Sequence, residues 1–230
     1  MTDGGFAYTG RDNLEAMRAA ARYNAFLAGL ARGLVAPGGR LLDFGAGIGT
    51  VADLLRHEGA VVDCMEIDRR LADDLTARGF EVFQSLQAVP DRRYDGIYAL
   101  NVLEHIEDDV GVLAALRGKL RAGGRLLIYV PAFEVLFSDM DRLVGHVRRY
   151  TRRGLVQRLE RSGFQVLSAR YADCLGFPAT LAYRFAGGDG TVSAGAVRLY
   201  DRWAFPLSRV LDHAVGGFVG KNVYAIGVAA

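Results

Sequence analysis

The chain has 230 residues, 51% of them hydrophobic and 23% charged, a balance that fills a sizeable core without disulfide staples and excludes a disordered or peptide-sized protein. Its 28 basic and 26 acidic residues leave a net charge of +2, and the only dense basic run is Arg148, Arg149, Arg152 and Arg153. Phosphate-driven nucleic-acid binding is therefore not expected. Cys64 and Cys174 lie far apart without metal-ligand spacing, and the N-terminus is polar with no basic-then-apolar leader. No apolar run reaches the ~20 residues that span a bilayer. A reducing cytoplasm and no stable membrane insertion are the expectation.

In chain order, Asp12 with Glu15 reads as a capping box opening a helix that carries Leu14, Met17, Ala21, Phe26, Leu27, Leu30 and Leu34 on one face and ends at Pro37. A short apolar run, Leu41 to Phe44, leads into Gly45-Ala46-Gly47-Ile48-Gly49 and a helix through Val51, Leu54 and Leu55. The alternation continues with strand 61–66, helix 69–78, strand 80–84, strand 96–100, helix 108–120 and strand 125–130. Near-continuous apolar strands separated by helices predict a parallel sheet covered on both faces. After an irregular segment, Thr151 caps a helix, Phe164 to Tyr171 alternates as a strand, and Val223 to Val228 is the last strand. The intervening insert is too apolar for a solvated loop, and Gly187-Gly188-Asp189-Gly190 divides it into two helices.

The expected fold is thus α/β, a doubly wound, Rossmann-like seven-stranded sheet, mostly parallel with the last strand antiparallel. One domain, 1–230, is expected, with an N-terminal helical cap (1–37) and an apolar insert or lid (173–220).

In such sheets a ligand sits outside the carboxyl ends of the strands, at the switch point. The side-chain-free turn Gly45 to Gly49 admits a ligand close to the backbone, Glu66 ends the second strand where a carboxylate accepts ribose hydroxyls, and Asp43 precedes the glycines. Either a dinucleotide or an adenosyl compound without phosphates would use such a turn. Thr50 breaks the dinucleotide fingerprint, and Asp43 would repel a pyrophosphate while suiting a cationic amino-acid moiety.

Together with Tyr94-Asp95-Gly96-Ile97, Asn101-Val102-Leu103-Glu104-His105-Ile106, Leu120-Arg121-Ala122-Gly123-Gly124 and Ser162-Gly163-Phe164, these segments resemble class I S-adenosylmethionine-dependent methyltransferases over nearly the whole chain. The resemblance implies that Asp43, Gly45, Ala46 and Gly47 cradle the methionine part of S-adenosylmethionine, Glu66 holds the ribose, Ile67, Ser85 and Leu86 line the adenine, and Asn101 meets the amino-acid portion. Gln84-Ser85 stands where the family usually has an acidic residue. In some relatives that methylate quinols, Glu104 and His105 match metal-binding positions; no metal is assigned here.

Gly145-His146-Val147-Arg148-Arg149-Tyr150-Thr151, with Arg22-Tyr23-Asn24 near the N-terminus, resembles a bacterial subgroup associated with glycan and natural-product pathways. That likeness places the segment over the reactive methyl group. His146, Arg149 and Tyr150 are the expected catalytic residues, and Tyr23, His105, His146, Arg149 and Tyr150 the expected contacts of a small-molecule acceptor, most often methylated at oxygen. His146 reads either as a general base, with Asp141 orienting it, or as part of a loop clamp. The insert reads as a lid, as extra core or as a homodimer surface. A lipid-linked, nitrogen or carbon acceptor, a nicotinamide oxidoreductase and a non-catalytic cofactor scaffold are the competing readings.

Overall fold

A computed structural model of the chain describes residues 11–185 and 193–229, without the side chains of 11–14. The elements are α1 (Arg11–Arg18), α2 (Ala21–Arg32), β1 (Arg40–Phe44), α3 (Thr50–His57), β2 (Val61–Met65), α4 (Arg69–Ala77), β3 (Val82–Phe83), β4 (Tyr94–Leu100), α5 (Asp109–Lys119), β5 (Leu120–Pro131), α6 (Asp139–Leu143), α7 (Arg152–Arg161), β6 (Phe164–Ala172), α8 (Gly176–Phe185), α9 (Ala194–Leu199), α10 (Phe205–Val215) and β7 (Asn222–Ala229). The side chain of Asp12, on which the capping box rests, and the glycine break at 187–190 lie outside the described residues.

The seven strands run in the order β3-β2-β1-β4-β5-β7-β6. Strands β1 to β5 pair in parallel, and β7 inserts antiparallel between β5 and β6. The sheet is the expected doubly wound, Rossmann-like one. Side chains alternate between its two faces because the strand period is two. Leu42, Phe44, Leu126 and Ile128 pack with Leu113 of α5 and Leu155 of α7, while Leu41, Leu127 and Tyr129 pack with Leu27 of α2 and Leu55 of α3. Order reverses between β1 and β4, which sets the switch point at their carboxyl ends.

Two elements differ from the sequence expectation, the N-terminal helix and β3, and the insert adds a π-helical turn. The single N-terminal helix is two, because the chain turns at Ala19 and Ala20, where the Met17 carbonyl accepts from Ala20 N–H at 3.1 Å and from the Asn24 side-chain amide at 3.0 Å. No neighbour in sequence caps α2. Instead the Asp201 carboxylate accepts from the amides of Arg22 and Tyr23 at 3.0 and 2.8 Å, satisfying donors that a helix start leaves open. Strand β3 is only Val82–Phe83, at the sheet edge. Finally, α9 and α10 are joined without a break by a π-helical turn, Tyr200–Ala204, which carries Asp201 to that cap.

Candidate active site

The turn after β1 needs glycine for two reasons. Gly45 and Gly47 have φ of +77° and +55°, where a side chain is strained. A Cβ on Gly45 would also lie 2.5 Å from Val102 Cγ2. Val102 follows Asn101 at the end of β4, so the glycine turn and the β4 exit are pressed together. The Met65 carbonyl accepts from the Gly45 and Ala46 amides at 2.8 and 3.1 Å. Glu66 Oε2 accepts from Gly47 N–H at 2.7 Å and Oε1 from Asp68 N–H at 2.8 Å. These bonds orient a buried carboxylate that still has lone pairs for two hydroxyls.

Asp43, beneath the turn, is buried. Burial pushes its carboxyl up to about 7, Glu66 adds to the rise, and the neighbouring Tyr98 phenol opposes it. Burial likewise raises Glu66 against the backbone amides that lower it. Burial thus disfavours the charged form of both carboxyls. Ile67, beside Glu66, is an exposed apolar side chain, as a flat ring would require. Ser85 and Leu86 follow β3; the Ser85 hydroxyl accepts from Ala88 N–H at 3.3 Å and Leu86 packs against the core.

Asn101, Phe133 and Asp173, the residues at or just past the ends of β4, β5 and β6, all have positive φ, +55°, +60° and +63°. Non-glycine residues in that region store strain and gather at functional sites. Here they mark the carboxyl edge where the sheet opens. Tyr23 of α2 reaches the same edge, its ring 6.1 Å from that of Tyr129 and 5.5 Å from that of Phe205. Burial pushes its phenol up to about 12, with Asp173 and Glu104 adding to the rise and Asn101 and Tyr129 opposing it.

The segment Gly145 to Thr151 is a clasp. Arg149 grips Asp141 through two bonds, Nε to Oδ1 at 2.9 Å and Nη2 to Oδ2 at 3.0 Å. Arg148 and Arg158 both donate to Asp109 Oδ2 at 2.6 Å. The Tyr150 hydroxyl, fully buried, reaches the Leu103 carbonyl and Asp109, each at 3.1 Å. The Thr151 hydroxyl accepts from Gly154 N–H at 3.1 Å and caps α7. Arg149 and Tyr150, expected to touch an acceptor, are thus committed to internal partners, and the physical reason is that Asp141 and Asp109 are buried charges that must be answered.

His146 stands differently. Its Nδ1 lies 2.7 Å from Asp141 Oδ1. Although burial opposes it, hydrogen bonds from His146 and Arg149 hold the Asp141 carboxyl well below the usual carboxylate range. An ionised carboxylate can only accept, so Nδ1 is the donor, and the other ring nitrogen is Nε2. That nitrogen faces the Glu104 Oε1 at 3.8 Å. Glu104 is fully buried, neither of its oxygens has a hydrogen-bond partner, and burial pushes it up to about 8. The His105 ring packs edge-on against that of His146 at 4.7 Å, and its Nδ1 lies 3.3 Å from the Gly145 carbonyl. Burial and the neighbouring His146 push His105 down to about 4.

The ligand atoms of Glu104, His105 and His146 lie within 4.8 Å of one another, a donor set that suits a divalent cation. Glu104 is the residue whose weight sequence reasoning underrated. Its one signal was a carboxylate set, with His105, among Val102, Leu103 and Ile106 directly after a buried strand.

Residues 14–169, more than half of the chain, match the methyltransferase domain family. Among curated proteins, the ubiquinone biosynthesis O-methyltransferase of Xylella fastidiosa (strain 9a5c) is 30% identical over 101 residues, 40% of this chain and 41% of that protein. An uncharacterized 37.1 kDa protein in transposon TN4556 of Streptomyces fradiae is 28% identical over 83% of this chain and 62% of its own length. The chain thus spans less than two thirds of the curated relatives it matches. Among solved structures, a SAM-dependent methyltransferase from Archaeoglobus fulgidus superposes with a TM-score of 0.58 at 17% identity, covering 89% of this chain and 94% of that one. The geranyl diphosphate C-methyltransferase of Streptomyces coelicolor A3(2) does so with a TM-score of 0.64 at 12% identity, covering 91% and 82%. At these identities the two structures speak for the fold. With the glycine turn, the carboxylate pair and the family match in hand, the chain belongs to the methyltransferase domain family and carries an S-adenosylmethionine-dependent methyltransferase domain.

Proposed function

We propose that the chain methylates a hydroxyl oxygen of a small natural-product or sugar-like metabolite, with His146 as the general base. The observation that carries this reading is the 2.7 Å contact of His146 Nδ1 with Asp141, itself gripped by Arg149. The acceptor O–H proton passes to His146 Nε2 as an oxygen lone pair attacks the methyl carbon. The carbon–sulfur bond breaks, and its electron pair goes to sulfur, giving S-adenosylhomocysteine. Asp141 fixes the tautomer and steadies the imidazolium, while Arg149 acts through Asp141 as a positioning residue.

In this reading Asp43 and Glu66 seat the cationic donor, Ile67, Ser85 and Leu86 flank its adenine, and Asn101 meets its amino-acid end. Tyr23 and His105 border the acceptor. Leu143 and Val147, exposed on either side of His146 in sequence, favour an acceptor with an apolar part. The O-methyltransferase relative supports oxygen as the atom methylated. The insert serves as the lid, since Phe177 of α8 packs edge-on against Phe133 at 5.4 Å, just past β5. Two free, buried cysteines suit a reducing compartment.

The test is to incubate the protein with methyl-labelled donor and a bacterial metabolite extract, then follow label and mass. A labelled metabolite heavier by about 14 daltons, with label on an ether oxygen, is expected for methyl transfer to a hydroxyl. Label on nitrogen or carbon would overturn the oxygen reading.

The unpartnered Glu104 carboxyl favours a second reading, in which Glu104, His105 and His146 would hold a divalent cation and the cation would supply Lewis-acid activation of a hydroxyl. Dialysis against a chelator separates the two. Turnover that survives belongs to the base alone, and turnover that is lost and returns with the metal belongs to the cation.

A further inference from the structure

We propose that the outer face of the helical rod formed by α9, the π-helical turn and α10 is a docking surface for an anionic membrane leaflet. Leu199, Trp203, Leu207, Val210 and Leu211 are 65%, 66%, 54%, 68% and 39% exposed. They lie on the side of the rod opposite the buried Val197, Asp201, Phe205, Ser208 and Asp212. They form a continuous apolar stripe in water, which a protein keeps only where something covers it.

The charges on the rod identify the occupant. Its two carboxylates are buried and turned inward: Asp201 accepts from the Arg22 and Tyr23 amides, and Asp212 from the Asp173 and Cys174 amides, each at 2.9 Å. Arg198 and Arg202 are exposed, and Arg209 is partly so. All three flank the stripe on one side by the same helical spacing. Solvent on this rod therefore meets apolar side chains and the Arg198 and Arg202 guanidinium groups, which no carboxylate of the rod answers, whereas Arg209 is paired with Asp212 at 2.9 Å. A second copy of the chain would bring the same arginine row and no counter-charge from its own rod. Lipid phosphates supply that charge. The Arg202 guanidinium lies 5.4 Å from the Trp203 ring centroid, pairing a cation with the aromatic that prefers the headgroup level. Among the described residues no helix is long and apolar enough to cross a membrane, so the rod lies on the leaflet instead of entering it.

Flotation with vesicles of phosphatidylcholine alone, and of phosphatidylcholine with phosphatidylglycerol, tests this with the full chain. The protein is expected to float with the anionic vesicles at low salt, to be released at high salt, and to ignore the neutral ones. Arg198→Ser with Arg202→Ser should lower anionic partitioning roughly 20-fold, and Trp203→Ser with Leu207→Ser roughly tenfold or more. Calorimetry with S-adenosylhomocysteine checks that each variant is folded. Failure of the wild type to float with anionic vesicles, or double variants that float as it does, would overturn the proposal. So would a wild-type dimer that Trp203→Ser with Leu207→Ser converts to monomer while vesicle binding is absent, since the stripe would then join two copies.

Discussion

His146 and Asp141 meet through Nδ1 and Oδ1 at 2.7 Å, and the same carboxylate is held by Arg149 across both oxygens and by Ser138 at Oδ2. Ser138 donates through its backbone N–H at 2.8 Å and its hydroxyl at 3.1 Å, both to Oδ2. Three partners on one buried carboxylate leave its position no freedom. That rigidity passes to the imidazole and sets where Nε2 points.

Asp141→Asn should therefore cost more in turnover than in donor binding. An amide can accept at one atom only, so the tautomer is no longer enforced and Arg149 loses its ionic partner. The expected result is a fall in kcat of about 10²-fold or more, with affinity for S-adenosylhomocysteine within a few-fold of wild type. Steady-state rates against calorimetry separate the two quantities.

Gly45→Ala should weaken the donor site by two routes, because the backbone is at φ +77° and the new methyl meets Val102 at 2.5 Å. Left-handed backbone alone costs roughly 1–2 kcal/mol for a residue with a side chain. Adding Val102→Ala should relieve the collision and recover part of the melting temperature. The remainder is the backbone cost, and denaturant melts of the three variants measure it.

The acids at the sheet mouth set a pH dependence whose sign can be worked out. Asp43 and Glu104 titrate near 7 and 8 in the folded chain and near 4 when unfolded. Between those values the folded state binds more protons, so both groups favour folding at lower pH and lose that contribution as pH rises through 7 to 8. Donor-free protein should melt several degrees higher at pH 6 than at pH 8.5. Asp43→Asn should flatten part of that slope, as scanning calorimetry across the range would reveal.

Asp201→Ala removes the carboxylate that caps α2 from 178 positions away in sequence. Loss of such a cap costs about 1–2 kcal/mol. Because Tyr23 is one of the two amides it holds, the variant should also raise the KM for the acceptor more than it lowers kcat. Equal stability to wild type in a urea melt would remove the capping role.

Much of this architecture was readable from the chain alone, and the reasons are local. Leu41 to Phe44 and Leu126 to Val130 announce buried parallel strands by their continuous apolarity, and the turn Gly45 to Gly49 needs positive φ wherever it occurs. Asp43 and Glu66 could be located because each sits at or next to a strand end fixed by the same pattern. What could not be read were long-range polar partners. Arg149 and Tyr150 carry the right chemistry to bind an acceptor, and only the fold brings Asp141 and Asp109 to them. Glu104 reads as a solvated residue by type but is sealed beneath His146. The break after α1 depends on Asn24 and on Asp201, and no local rule links those two.

The most direct test is calorimetry of folded protein with S-adenosylmethionine and S-adenosylhomocysteine, wild type beside Asp43→Asn. Seating of a cationic donor against Asp43 and Glu66 predicts one-to-one binding of both ligands by the wild type and release of a fraction of a proton near pH 7. It also predicts at least roughly tenfold weaker binding of S-adenosylmethionine by the variant, the effect of losing one charged partner at a buried site. No heat with either ligand, or equal affinity for wild type and variant, would contradict it.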